Sequence, residues 1–174
     1  MAIGAVYRSE RLILHEQENL CGALWLASPL VEDVQALTEQ GERGLRNYGG
    51  QTLLLNIVAR RRPQDPKVQA KFTADVRSAL IELTKRDELH AAATAHVILP
   101  GGLLGMTVRT FLNTVVLVGR PATPVKVFAD ENEAAVWVAS LPGPVSWRAQ
   151  SVMGFVKRLE AMRDGRPLPS HSSL

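Results

Sequence analysis

The chain has 174 residues, of which 46% are apolar and 21% charged. That composition suits a globular domain with its own core and excludes wholesale disorder. The net charge of +3 is unevenly placed: residues 1–50 hold four basic and seven acidic side chains (−3), which leaves sixteen against ten (+6) for the remainder. The one tight basic cluster, Arg60-Arg61-Arg62, contains no aromatic residue, so a nucleic-acid face with stacking platforms is not expected.

A single cysteine, Cys21, excludes an internal disulfide and fits a reducing compartment. The opening MAIGAVYRSER lacks the charged start and long apolar run of a secretory signal. The most apolar stretch, 103–118, is short for a bilayer span and contains Arg109 and Asn113. The expectation is a cytoplasmic protein without stable membrane insertion.

In chain order, residues 11–16 and 20–26 read as an antiparallel strand pair around the polar turn Gln17-Glu18-Asn19, with a short strand near 3–7 beside them. Ser28-Pro29 offers an N-cap and a first-turn proline for a helix that carries Leu30, Val34, Leu37 and Leu45 and stops at Gly49-Gly50. The apolar run 52–58 has the character of a buried parallel strand. Asp65-Pro66 repeats the helix-start signal, and Val68, Phe72, Val76, Ala79, Leu80 and Leu83 follow at helical spacing. A strand over 89–99 ends at Pro100-Gly101-Gly102. A helix over 103–118, apolar nearly all round and therefore expected to be well covered, ends at Gly119-Arg120-Pro121. The strand 125–128 leads to Asp130 with Glu133 three residues on, a capping-box spacing, and a helix with Ala134, Trp137, Val138 and Leu141.

This order, β-β-α-β-α-β-α-β-α, predicts an α/β domain: a mixed, mostly parallel sheet with an antiparallel edge and helices packed on it. The expected organisation is a domain over 1–143, an appended amphipathic helix over 144–165 and a flexible tail over 166–174.

The order and the helix lengths resemble the STAS domain (sulfate transporter and anti-sigma factor antagonist) and its SEC14-like relatives, over about residues 5–141. The resemblance rests on strand 52–58 leading into a long helix. It rests also on the ending Val125-Lys126-Val127-Phe128-Ala129-Asp130-Glu131-Asn132-Glu133-Ala134-Ala135-Val136-Trp137, a strand, short acidic turn and final helix. It implies a bacterial signalling module that regulates or scaffolds by binding another protein. Antagonists of this family carry a phosphorylatable Ser or Thr just after the central strand, where phosphate meets a helix N-terminus and rearranges a partner contact. Here that place reads Arg60-Arg61-Arg62-Pro63-Gln64-Asp65-Pro66-Lys67 without a hydroxyl. Thr73 and Ser78 fall inside the expected helix, so the phospho-switch is expected to be missing.

Chemistry-bearing groups are scattered. Gly101, Gly102 and Gly105 lie between a strand and a helix, where free backbone N–H groups suit an anion, but the spacing is neither a dinucleotide fingerprint nor a P-loop. Arg60, Arg61 and Arg62 follow a central strand, at the sheet edge where α/β proteins bind ligands. The glycine turn or, alternatively, the arginine edge is the candidate site for a small anionic or lipid ligand. His90 and His96 share the parity of one expected strand but would lie roughly 20 Å apart, too far for a shared metal. No nucleophile elbow occurs, and Cys21 sits in an apolar strand. No metal or cofactor is expected, and an enzyme is the third reading, after a regulatory module and a ligand binder, since its site would have to form from residues distant in sequence.

Beyond Pro144, Trp147, Val152, Phe155, Val156, Leu159 and Met162 form a stripe at helical spacing, with Arg148, Lys157, Arg158 and Glu160 opposite. Such a strip either packs on its own domain or binds a partner protein or a second copy of the chain.

Overall fold

A computed structural model describes residues 7–60, 72–121 and 123–166. The N-terminal part is an antiparallel meander of β1 (Tyr7–Arg8), β2 (Leu12–Gln17) and β3 (Leu20–Trp25), in which Leu14 faces Ala23 across the ladder. From β3 the chain crosses through α1 (Val31–Tyr48) to β4 (Thr52–Val58), through α2 (Ala74–His90) to β5 (Ala91–Ile98), and through α3 (Gly102–Gly119) to β6 (Val125–Phe128). These last strands pair in parallel, and the six-stranded sheet runs β1-β2-β3-β4-β5-β6 in space. The fold class read from the sequence, an α/β sheet with an antiparallel edge, is therefore the fold observed.

Every crossover steps one place in the same direction. Right-handed connections of that kind put α1, α2 and α3 on one face. Side-chain alternation agrees: Leu12, Leu14 and Ala23 cluster with Val34, Leu37 and Leu83. Ile13, Leu24, Leu55 and Val97 point the other way, toward α4 (Glu131–Ala139) and α5 (Ala149–Arg163). The central strands are thus covered on both sides, which explains their unbroken apolar runs.

Several boundaries differ from the sequence reading. Helix α1 is capped at Leu30 rather than Ser28. Asp33 decides this: its carboxylate accepts from the Leu30 N–H (3.0 Å) and from the Ser9 hydroxyl (3.0 Å), which ties the helix start to the meander. Within the described residues α2 begins at Ala74, and the Asp65-Pro66 signal and Val68 lie outside them. His90 closes α2 instead of sharing a strand with His96. Asp130 does cap α4, accepting from the Asn132 and Glu133 N–H groups.

Of the two courses open to the C-terminal strip, the helix takes packing on its own domain. Trp147, Val152, Phe155, Val156 and Leu159 are buried in the core shared with β2–β5, and Met162 packs against that cluster. Their apolar surface is spent on this chain's own sheet, so residues 144–165 form part of a covering layer rather than an appendage. Gly22 makes room for it, because a Cβ there would meet the Phe155 ring at 2.3 Å. Arg158, assigned by its position to the solvent side, is buried as well and donates to Gln17 Oε1. The Trp147 indole N–H donates to Asn19 Oδ1 (2.9 Å), and Asn19 Nδ2 donates to the Gln51 carbonyl (2.8 Å). Asn19, in sequence an ordinary turn residue, is the buried latch that joins the two ends of the chain.

Cys21 is buried beside Leu54. Burial pushes its thiol pKa up to about 12, helped by the Glu16 charge and opposed by Arg43. A thiol held protonated and covered is a poor nucleophile. Native protein at pH 8 is therefore expected to leave Cys21 unlabelled by a disulfide reagent, with full labelling in denaturant. Rapid native labelling would contradict the packing of β3.

Candidate functional site

A chamber lies between the sheet and the α1–α3 layer, and strand register places its floor. Asn56 of β4 pairs with His96 of β5, and Leu54 with Thr94. Neighbouring strands are about 4.8 Å apart, and Thr94 and His96, two residues apart, are separated by roughly 6.6 Å along their strand and share a face. The floor is thus one patch of Asn56, Thr94 and His96.

The walls are apolar. The stretch 25–29 after β3, Leu37 and Gly41 of α1, Leu80 and Leu83 of α2, and Leu104, Val108, Phe111, Leu112, Val115 and Val116 of α3 supply them. Phe72, just before α2, stacks on Phe111 with ring centroids 3.8 Å apart. Its volume is about 140 Å³, and it is partly open to solvent. Among the described residues that line it there is no Asp, Glu, Lys or Arg.

His96 keeps some accessible surface because it borders the chamber, yet protein surrounds it, and burial lowers its pKa to about 4. It is neutral at physiological pH. Thr94 is 2% exposed and its Oγ1 has no hydrogen-bond partner. A buried hydroxyl without a partner costs about 1–3 kcal/mol. Thr94→Val, which swaps that hydroxyl for a methyl, is therefore expected to leave the unliganded protein equally stable or up to about 1 kcal/mol more stable in urea unfolding. A loss of more than that would mean the hydroxyl is paired.

The residues singled out from sequence do not converge here. Gly101 caps α3 and Gly102, with φ +61°, opens it, both exposed. Gly105 is required for close packing, since a Cβ would lie 2.0 Å from the Pro100 carbonyl oxygen. Arg60 points to the other layer: it lies within electrostatic reach of Glu131, and its carbonyl accepts from Arg163. The glycine turn and Arg60 therefore do not form one anion cradle. Arg61 and Arg62 lie outside the described residues.

Thr73 is a correction of a different kind. It is exposed and precedes α2, its Oγ1 accepting from the Val76 N–H (3.3 Å) and its carbonyl from the Arg77 N–H (3.0 Å). It caps the helix instead of lying within it, so a hydroxyl does stand at the start of the helix that follows the central strand.

The expectation that 103–118 is well covered also fails. On α3, Leu103 is 76% and Leu117 74% exposed, with Met106 and Val118 also exposed. One side of the helix walls the chamber and the other is bare, because no described element packs outside it in the three-helix layer. By length and composition alone α3 (18 residues, mean hydropathy 1.4) is long and apolar enough to cross a membrane.

Sequence reading missed the chamber. Its one signal was the placing of Asn56, Thr94 and His96 inside otherwise apolar strands, and only the β4–β5 register brings the three together. Compared with family models, curated proteins and solved structures, the chain matches none.

Proposed function

We propose that the protein is a non-catalytic binding module that holds a small, largely apolar ligand between its sheet and α1–α3. The observation supporting it is the chamber itself: apolar walls over a floor of three neutral polar side chains, the composition typical of small-molecule sites. Binding is favoured over catalysis because Thr94 Oγ1 makes no hydrogen bond to His96 and no described lining residue is a carboxylate. A nucleophile beside its base, or an acid–base pair, is thereby not assembled. The SEC14-like resemblance, whose members bind lipids in an apolar cleft, points toward ligand binding, although this chamber is small.

Thermal unfolding with neutral apolar probes tests the reading. A ligand that binds only the folded state raises the midpoint in a saturable way, and its amide shifts should centre on Asn56, Thr94 and His96. Failure of every probe to raise the midpoint, with native mass spectrometry giving only the bare chain, would remove it.

A second reading, a regulatory or scaffolding module that works by self-association, is favoured by the bare face of α3. Its exposed residues Leu103, Met106, Thr107, Thr110, Asn113, Thr114, Leu117 and Val118 carry no charge. A second copy can therefore meet the same face across a two-fold axis without like-charge repulsion. A groove beside this face is lined by Phe72, Arg77 and Met106. Sedimentation distinguishes the outcomes: a dimer that Leu117→Asp converts to monomer supports this reading, and a monomer at millimolar concentration opposes it.

A further inference from the structure

The polar groups that the chamber leaves within reach narrow the class of ligand, an inference that rests on the binding reading above. Because the chamber is partly open to solvent, its volume sets no limit on a ligand's length. The lining fixes instead the chemistry of the end that enters.

His96 is the group within reach. It is half-buried, and β5 pairs with β4 on one side and β6 on the other. Its backbone is thus covered, and its accessible surface belongs to the ring. That ring lines the chamber, so the surface opens there. Thr94 Oγ1, by contrast, is sealed from the chamber.

Among the described residues, none hydrogen-bonds the His96 ring or the Asn56 side-chain amide. Buried polar groups ordinarily have partners. Burial is also the one cause of the lowered His96 pKa, with no neighbouring charge contributing. Asn56 and His96 are register partners on adjacent strands, which stand about 4.8 Å apart. Two hydrogen bonds of about 2.8 Å meeting at one oxygen span up to roughly 5.6 Å, so a single oxygen can meet both side chains.

A hydroxyl suits this pair best. It donates and accepts, and so complements the neutral imidazole in either tautomer and the amide in either orientation. A carboxylate or ammonium group would be buried with no opposite charge among the described lining residues, which is far more costly than burying a neutral polar group.

We infer that the chamber takes the uncharged, hydroxyl-bearing end of a largely apolar molecule, the hydroxyl held between His96 and Asn56 and the apolar body lying along α3. His96 is the recognition group of this site.

Titration of the intact, ¹⁵N-labelled chain at pH 7 with 1-hexanol, hexane and hexanoate tests this, with the imidazole nitrogens followed by NMR. Hexanol is expected to shift the His96 ring nitrogens, and hexane to shift lining amides alone. Hexanol should bind at least about tenfold more tightly than hexanoate, whose charge finds no partner. His96→Leu should weaken hexanol by about tenfold without weakening hexane. Hexanol binding that leaves the His96 nitrogens unmoved, or that survives His96→Leu undiminished, would overturn the polar contact while leaving the apolar-ligand reading intact. Hexanoate binding tighter than hexanol would overturn the requirement for an uncharged end. No binding by any of the three, up to their solubility, would remove both the inference and the reading beneath it. Should His96→Leu fail to fold, the ring-nitrogen shifts of the unaltered chain decide.

Discussion

Phe155→Ala is expected to destabilise the domain by about 3–5 kcal/mol, a large part of the 5–15 kcal/mol typical of a whole domain. Phe155 is fully buried, its ring lies against the glycine face of β3 at Gly22, and it stacks on His15 with centroids 5.2 Å apart. Truncating it leaves a void between α5 and the strands that the helix cannot close without losing Val152 and Leu159 from the same core. Urea unfolding followed by tryptophan fluorescence measures the effect directly, since Trp147 leads into α5. Ending the chain at residue 143 should go further and abolish cooperative unfolding, because one face of the sheet would lose its α5 cover. A stable, cooperatively folding 1–143 fragment, or a loss below about 1 kcal/mol for Phe155→Ala, would mean that α5 is not held on this face.

Acid should destabilise the protein through His96. Its folded pKa of about 4 lies below the ordinary 6.5, because burial disfavours the imidazolium. The unfolded chain thus binds the proton first as pH falls, so the contribution is fully present above about pH 6.5 and is lost between there and pH 4. The loss amounts to about 2 kcal/mol by pH 5 and approaches about 3 kcal/mol near pH 4. Carboxylates elsewhere add their own acid dependence, so the measurement is a difference: urea midpoints of the unaltered chain and of His96→Gln at pH 7 and pH 4.5. Glutamine keeps a polar group at the site but does not titrate. The gap between the two proteins should narrow, or reverse, toward acid. Parallel pH curves would show that His96 takes up its proton as readily folded as unfolded.

Much of the architecture was legible because it is locally encoded. The alternation of short apolar runs with helical stripes, punctuated by Gly49, Pro100-Gly101 and Asp130, placed most of the described strands and helices to within a few residues, the start of α2 being the exception. At the start of α1 a tertiary partner overrode a local signal. Ser28-Pro29 is a sound helix start, but the Asp33 carboxylate, bonded to Ser9 across the meander, moves the cap to Leu30. For His90 and His96, shared parity held meaning only within one strand, and α2 runs through His90 before that strand begins.

The candidate site was less legible, since it is a property of register and layering. An apolar stripe tells that a helix has a face to cover but not what covers it. The α5 stripe found its own sheet, while α3, more apolar throughout, was left half bare because the three-helix layer ends with it.

From the chain alone come its class, its element order and the uncharged character of β4 and β5, since periodicity and composition act over a few neighbouring residues. Tertiary structure alone decided that α5 closes the core and that Asn56, Thr94 and His96 meet under α1–α3. Those outcomes depend on which strands pair and by how much they are offset, and hydrogen-bonded register is a relation between distant segments that no single segment carries.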